Sequence, residues 1–200
     1  MIALGISGVA RSGKDTLCAF LIKKFKEKGK VAKRYALADT LKEKLSFLIK
    51  GEFDIDVYNC TDEQKQLIRP LLVAFGAGKR KMSDGTYWTN HLAHQIIADM
   101  EKGVDIAIIT DIRYAEYEKD ELYWLRELLR GILIHVEKII VKDGVRMIAP
   151  PPNEDEAKND PIIKSQANIK LVWEDKSIPN SNADQVAEEL FNSLCPILKI

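Results

Sequence analysis

Residues 8–16, GVARSGKDT, carry the spacing G-x-x-x-x-G-K through Gly8, Gly13 and Lys14. Glycines at these places let the backbone turn and aim its N–H groups at phosphate oxygens. A helix N-terminus directly behind adds partial positive charge, and the lysine reaches the outer phosphates. The next position in this pattern is a hydroxyl residue; here it is Asp15, with Thr16 one step later. A bare carboxylate beside polyphosphate is repelled. It is tolerated if it sits near Mg²⁺, directly or through water, or pairs with a cation such as Arg11. The helix N-terminus also favours an acid there, and Thr16 can offer its hydroxyl to phosphate. The spacing leaves these alternatives open. The bland reading, a tight turn with a solvated lysine, is disfavoured because an apolar run, IALGIS (2–7), stands directly in front.

A second constellation is IITDIRYAEYE (108–118), an apolar run ending in Asp111 and Arg113. Ligands of open α/β sheets bind beyond the carboxyl ends of strands. Asp111 there can orient a Mg²⁺-bound water or a substrate hydroxyl, and Arg113 can clamp a phosphoryl group. The competing reading is an Asp capping the next helix beside a surface Arg. His91 and His94 are three apart with no third ligand of matching context, so a metal site is disfavoured, and His135 reads as a satisfied core residue.

Strand and helix signals alternate around these residues. A helix follows the glycine-rich turn to about Gly29, with Leu17, Leu21 and Phe25 on one face. VAKRYAL (31–37), DIAIIT (105–110), GILIHVEKI (131–139) and IKLVW (169–173) read as further strands. Capping boxes at TLKE (40–43) and TDEQ (61–64) predict two helix starts. Further helices are expected over 87–100, over roughly 114–130, and from about Ala183. APPPNEDEAKND (149–160) is read as a mobile surface loop. The alternation predicts an α/β fold with a parallel sheet between helices. Residues 39–104, with helices and no convincing strand, form a helical insert suited to a second substrate.

Composition narrows the function. Lys+Arg 30 balances Asp+Glu 30, so nothing favours nucleic acid. No apolar run approaches the ~20 residues needed to cross a bilayer. The first residues lack a signal-peptide pattern, and three scattered cysteines fit a reducing cytoplasm.

SGVARSGKDT (7–16) resembles the phosphate loop of phage-type deoxynucleoside monophosphate kinases, where Arg-Ser-Gly-Lys-Asp-Thr stands at this place. Animal-type phosphomevalonate kinases also carry a Ser-Gly-Lys-Asp loop. The phage kinases end their second strand of the site in Asp-x-Arg, as Asp111 and Arg113 do. They usually carry Glu six residues after that Asp, where this chain has Tyr117 between Glu116 and Glu118. ALADTLKEKL (36–45) and RPLLVAFGAGKRKMSDGTYWTNHL (69–92) are similar too, through Lys42, Arg69, Gly76 and Trp88; a Trp can stack on a base or wall its pocket. Ala10 stands where a relative has Lys.

The resemblance implies a single P-loop NTPase domain over 1–200, a three-layer fold on a parallel five-stranded sheet. A helical acceptor-binding insert falls at about 39–104 and a lid-like loop at about 142–165. It implies ATP with Mg²⁺ as phosphoryl donor and a deoxynucleoside monophosphate (dNMP) as acceptor, with dNDP and ADP as products. Lys14, Arg11, Asp15 and Arg113 would be catalytic; Gly8, Arg11, Gly13, Lys14, Asp15 and Thr16 would hold ATP. Lys42, Arg69, Trp88, Asp111, Arg113 and Glu116 would hold the acceptor, with Asp15 and Asp111 toward the metal. Neither nucleic acid nor membrane is expected as a partner, a homodimer is possible, and the location is cytoplasmic, in a host if the chain is phage-encoded. The alternatives are a kinase of phosphomevalonate or dephospho-coenzyme A, and a nucleotide-binding regulator without an acceptor.

Overall fold

The computed structural model describes residues 2–200. Six strands form one sheet: β1 (Ile2–Ser7), β2 (Ala32–Tyr35), β3 (Ile106–Ile112), β4 (Ile132–Lys142), β5 (Val145–Ile148) and β6 (Ile169–Glu174). The parallel part runs β2-β3-β1-β4-β6. β3 is buried along its whole length, and its alternate residues feed two cores, as the period of two requires. Ile106 and Ile108 face α1 (Lys14–Glu27) and α7 (Ala183–Leu198), through Leu17, Leu21, Phe25, Leu190 and Leu194. Ala107 and Ile109 face α4 (Thr86–Met100), Trp124 and Leu125. The result is a three-layer α/β fold with the glycine-rich loop between β1 and α1.

The sheet is not wholly parallel. β5 folds back antiparallel on β4 through Asp143 and Gly144, both at positive φ (52° and 78°). Asp-Gly between two strands is a hairpin signal, and a two-residue turn with both φ positive matches the strand twist. Ile139 of β4 pairs Ile148 on one edge and Glu174 on the other. β1 pairs the start of β4, Ile132–His135, so the hairpin stands beyond the end of β1, over the loop that follows it.

Three helices connect β2 to β3: α2 (Leu37–Phe53), α3 (Asp62–Met82) and α4. The capping box at 61–64 forms: Thr61 Oγ1 accepts the Gln64 N–H (3.2 Å) and Gln64 Oε1 accepts the Thr61 N–H (2.9 Å). The box at 40–43 does not start α2, which begins three residues earlier. Asp111, distant in sequence, accepts the Leu37 and Ala38 N–H groups (2.9 and 2.8 Å) and caps the helix there.

Two other expectations change. Residues 113–120 are not helical; α5 spans Glu121–Tyr123 and runs on as a π-helical turn, Trp124–Leu128. Buried Asp120 holds the preceding loop by accepting from Glu116, Tyr117 and Glu121 N–H groups. More than half of the stretch read as a surface loop, residues 154–160, belongs to helix α6 (Glu154–Ser165). Asn153 caps it by accepting the Glu156 N–H (2.8 Å), and three acids in its first turn suit the positive helix end. Pro161 inside α6 supplies no N–H to the helix ladder. No helix among the described residues is long and apolar enough to cross a membrane.

Candidate active site

The loop after β1 is shaped by its glycines and braced by distant residues. Gly8 lies at φ 128° and Gly13 at φ 97°. A Cβ on Gly8 would meet Val136 O at 2.2 Å, and one on Gly13 would meet the Trp173 ring at 2.3 Å. The Trp173 indole N–H also donates to Ser12 O (2.8 Å). Trp173 thus fixes the loop from β6, a role that its place in a strand pattern does not reveal.

Lys14 folds over this loop and donates to Gly8 O and Val9 O, both at 2.8 Å. Burial, with help from the nearby Arg113 charge, brings its pKa down to about 8; Glu156, Asp111 and Asp15 oppose that shift. Arg11 is exposed and left-handed, at φ 65°. Asp15 pairs not with Arg11 but with Arg34 of β2, whose Nε lies 3.0 Å from Asp15 Oδ1 and whose Nη1 binds Asp39 at 2.6 Å. Reading neighbours in sequence missed Arg34 because only the β2–β3–β1 order brings it there. Asp15 and Thr16 are both exposed at the first turn of α1.

A cleft of about 480 Å³ opens beyond the carboxyl ends of β2 and β3. Leu41, Gly76, Arg80, Trp88 and Tyr114 are among its lining residues, with Arg113, Glu116 and Lys158 along its polar side. Trp88 is buried, donates from Nε1 to Gly76 O (3.1 Å), and packs edge-on against Phe75 and Tyr87. It is a wall held by its own hydrogen bond. Arg80 stacks on Tyr114, 3.6 Å from the ring centre, and Nη2 binds buried Asp120 at 2.6 Å. Arg80 Nε is buried with no partner among the described residues.

Asp111 lines the cleft, but both its oxygens cap α2; burial pushes its carboxyl above the usual range against those two hydrogen bonds. Glu116 lines the cleft 3.5 Å from Arg80, whereas Glu118 does not line it. Lys42 and Arg69 stand outside the lining. Lys42 lies 4.0 Å from Asp39 on the same helix, and Arg69 is exposed on α3.

Sequence reasoning also missed Glu121. It is buried in the cleft wall and accepts the Arg113 and Tyr114 N–H groups (2.6 and 3.0 Å). Burial and the neighbouring Asp120 push its pKa up to about 8. Nor is His135 fully satisfied. Nδ1 meets Ser7 Oγ at 3.0 Å, but Nε2 has no hydrogen-bond partner among the described residues and faces Asp160 at 3.7 Å. Burial lowers the imidazole pKa to about 4, so the ring is neutral near pH 7.

Arg113 joins cleft to loop. Its Nη1 lies 3.6 Å from Glu156 Oε1, and Glu156 Oε2 accepts the Ala10 N–H of the glycine-rich loop at 2.7 Å. A glycine-rich loop with a buried lysine thus sits beside a cleft of mixed aromatic and cationic character. That pairing places a glycine-rich strand-to-helix loop and a cleft side by side at the carboxyl edge of a three-layer α/β sheet.

No protein-family model matches the chain, and no curated protein is similar to it in sequence. Solved structures similar to it include the shikimate kinase of Aquifex aeolicus vf5, at TM-score 0.46 and 16% identity over 96% of both chains. Another is the shikimate kinase of Bacteroides thetaiotaomicron, at TM-score 0.43 and 14% identity over 100% of this chain and 99% of that one. Likenesses this distant assign no residue and no substrate; the site's chemistry rests on its own geometry.

Proposed function

We propose that the protein is an ATP-dependent kinase of the nucleoside monophosphate type, moving the γ-phosphoryl group of ATP to a dNMP. The observation that carries this reading is the cleft itself. Trp88, Tyr114 and Tyr117 offer flat apolar walls, Arg80 offers a fixed cation, and Arg113 offers a second one linked through Glu156 to the glycine-rich loop. A nucleoside monophosphate has a flat ring and a dianionic phosphate, and needs both. The choice of a deoxynucleotide comes from the resemblance of residues 7–16 to the phage-type kinases.

Phosphoryl transfer asks little covalent work of a protein, and most of the rate comes from positioning and charge. The loop N–H groups and Lys14 would hold the polyphosphate. Arg113 would lie between donor and acceptor and offset charge on the group in flight. Arg80, held by Asp120 and Tyr114, would present a cation that loses little freedom on binding.

The described residues contain no cluster of three or more His, Cys, Asp or Glu that would hold a metal ion. Mg²⁺ would be ligated in part by phosphate oxygens, with exposed Asp15 and Thr16 at the first turn of α1 beside it. Bound there, it would neutralise phosphate charge. Thr16 offers a hydroxyl, and Asp15 can leave an exposed ion pair at little cost.

ADP release, measured across dNMPs, phosphomevalonate, dephospho-coenzyme A and no acceptor, tests the reading. A dNMP should stimulate release far above the other acceptors. Equal stimulation by phosphomevalonate, which has no base to stack, would move the assignment to that acceptor class. No stimulation by any of them would leave a nucleotide-binding protein without a transfer reaction.

A further inference from the structure

We infer that Glu156 competes internally with the nucleotide: its carboxylate holds α6 on the phosphate loop and must leave before polyphosphate can bind. The inference rests on the loop being a polyphosphate site and names a control on that same site. Ala10 N–H belongs to the loop that would cradle phosphate, yet it donates to Glu156 Oε2 at 2.7 Å. An amide has one proton to donate, so a phosphate oxygen and Glu156 exclude each other there. The same carboxylate lies 3.6 Å from Arg113, and its charge also reaches Lys14. It therefore draws on the cations assigned above to phosphate.

Glu156 is held in place from behind. Its side chain is only 12% exposed, and its N–H donates to Asn153 Oδ1, the cap of α6. The far half of the helix is tied to the protein, with Asn159 and Ile163 buried and Lys164 bound to Glu137 at 2.6 Å, so any release is confined to the first turn. In that turn Glu154 and Asp155 are exposed and follow Pro150 and Pro151, and Pro161 further on supplies no N–H to the ladder. When ATP takes the Ala10 N–H, Glu156 and Arg113 part, and the first turn of α6 is freed beside the cleft. Asp155, Lys158 and Asn159 of the same helix line that cleft, so nucleotide entry alters the acceptor wall.

The test is calorimetric binding of ATP, ADP and inorganic tripolyphosphate to the full chain and to Glu156→Gln and Glu156→Ala, without acceptor. Removing the competing charge should tighten ATP and tripolyphosphate binding about tenfold, with Ala at least as strong as Gln. Hydrogen exchange supplies a second readout. Amides of the first turn of α6 should exchange faster in both variants than in wild type, and ATP should speed them in wild type alone. If wild type binds ATP and the variants bind it equally or more weakly, Glu156 helps to hold the nucleotide and the competition is overturned. If neither wild type nor variants bind any polyphosphate, the phosphate-loop reading itself fails and the competition with it.

Discussion

The glycine-rich loop and the cleft meet at Arg113, but they are made of different materials. The loop is set by its own backbone, with two glycines at positive φ and one buried lysine folded onto its carbonyls. The cleft is lined by side chains from α2, α3, α4, α6, the 113–117 loop, Asp111 and Glu121, and its key polar and aromatic groups are held by partners elsewhere. Arg80 depends on Asp120 and Tyr114, and Trp88 on Gly76 O. A backbone site fails when its own conformation is denied. A side-chain site fails when a supporting partner is removed.

The largest expected effect is in the loop. Lys14→Ala should lower kcat by about a thousandfold while the fold survives, because it deletes a preorganised donor to transferring phosphate. Near-normal turnover by a folded variant would end the phosphate-loop assignment. Next comes Gly13→Ala, which forces a Cβ to 2.3 Å from the Trp173 ring at a φ that suits glycine. It should cost about 2–3 kcal/mol in urea unfolding and weaken ATP binding with it. A stable, tight-binding variant would show that the loop shifts freely and is not braced by Trp173.

In the cleft, Arg80→Met should raise the acceptor KM about tenfold with the ATP KM nearly unchanged, as expected for a contact on one substrate only. It also leaves Asp120 buried beside Glu121 without its cation, at a cost of about 3 kcal/mol. Adding Asp120→Asn should recover much of that stability but none of the acceptor affinity. Recovery of both would mean that Arg80 acts only through Asp120.

The pH profile separates the two regions by sign. Lys14 has a folded pKa near 8 against 10.5 unfolded. Its protonated form is disfavoured in the fold, so stability rises between about pH 8 and 10.5, while kcat/KM for ATP falls above 8 as the charge is lost. Glu121, raised to about 8 from 4.5, loses stability progressively from about pH 4.5 to 8, where the unfolded chain's carboxyl has ionised and the buried one still holds its proton. Glu121→Gln should flatten that lower limb in thermal melts without moving the ATP profile. The smallest effects belong to Lys42→Ala and Arg69→Ala. Both side chains stand off the cleft, so acceptor KM should change less than about twofold; a larger change would mean that α2 and α3 close over the acceptor.

What the sequence alone determined is what neighbouring residues decide among themselves. Residues 2–16 spell a buried strand, a glycine turn and a helix start. Thr61 and Gln64 spell a cap, and Leu17, Leu21 and Phe25 spell a buried face, because backbone torsions and side-chain periodicity act over a few positions. Asp143-Gly144 and Asn153 carried equally local signals for β5 and α6, outweighed in reading by the prolines and charges around them. Only the tertiary structure decided that Asp111 caps α2, that Asp15 meets Arg34, and that Trp173 seals the loop at Gly13. It also decided that Arg80 and Glu121, rather than Lys42 and Arg69, line the cleft. Those pairings depend on which strands lie side by side and which helices cover them. That is settled by burying the two faces of the sheet together, so no window of sequence contains it.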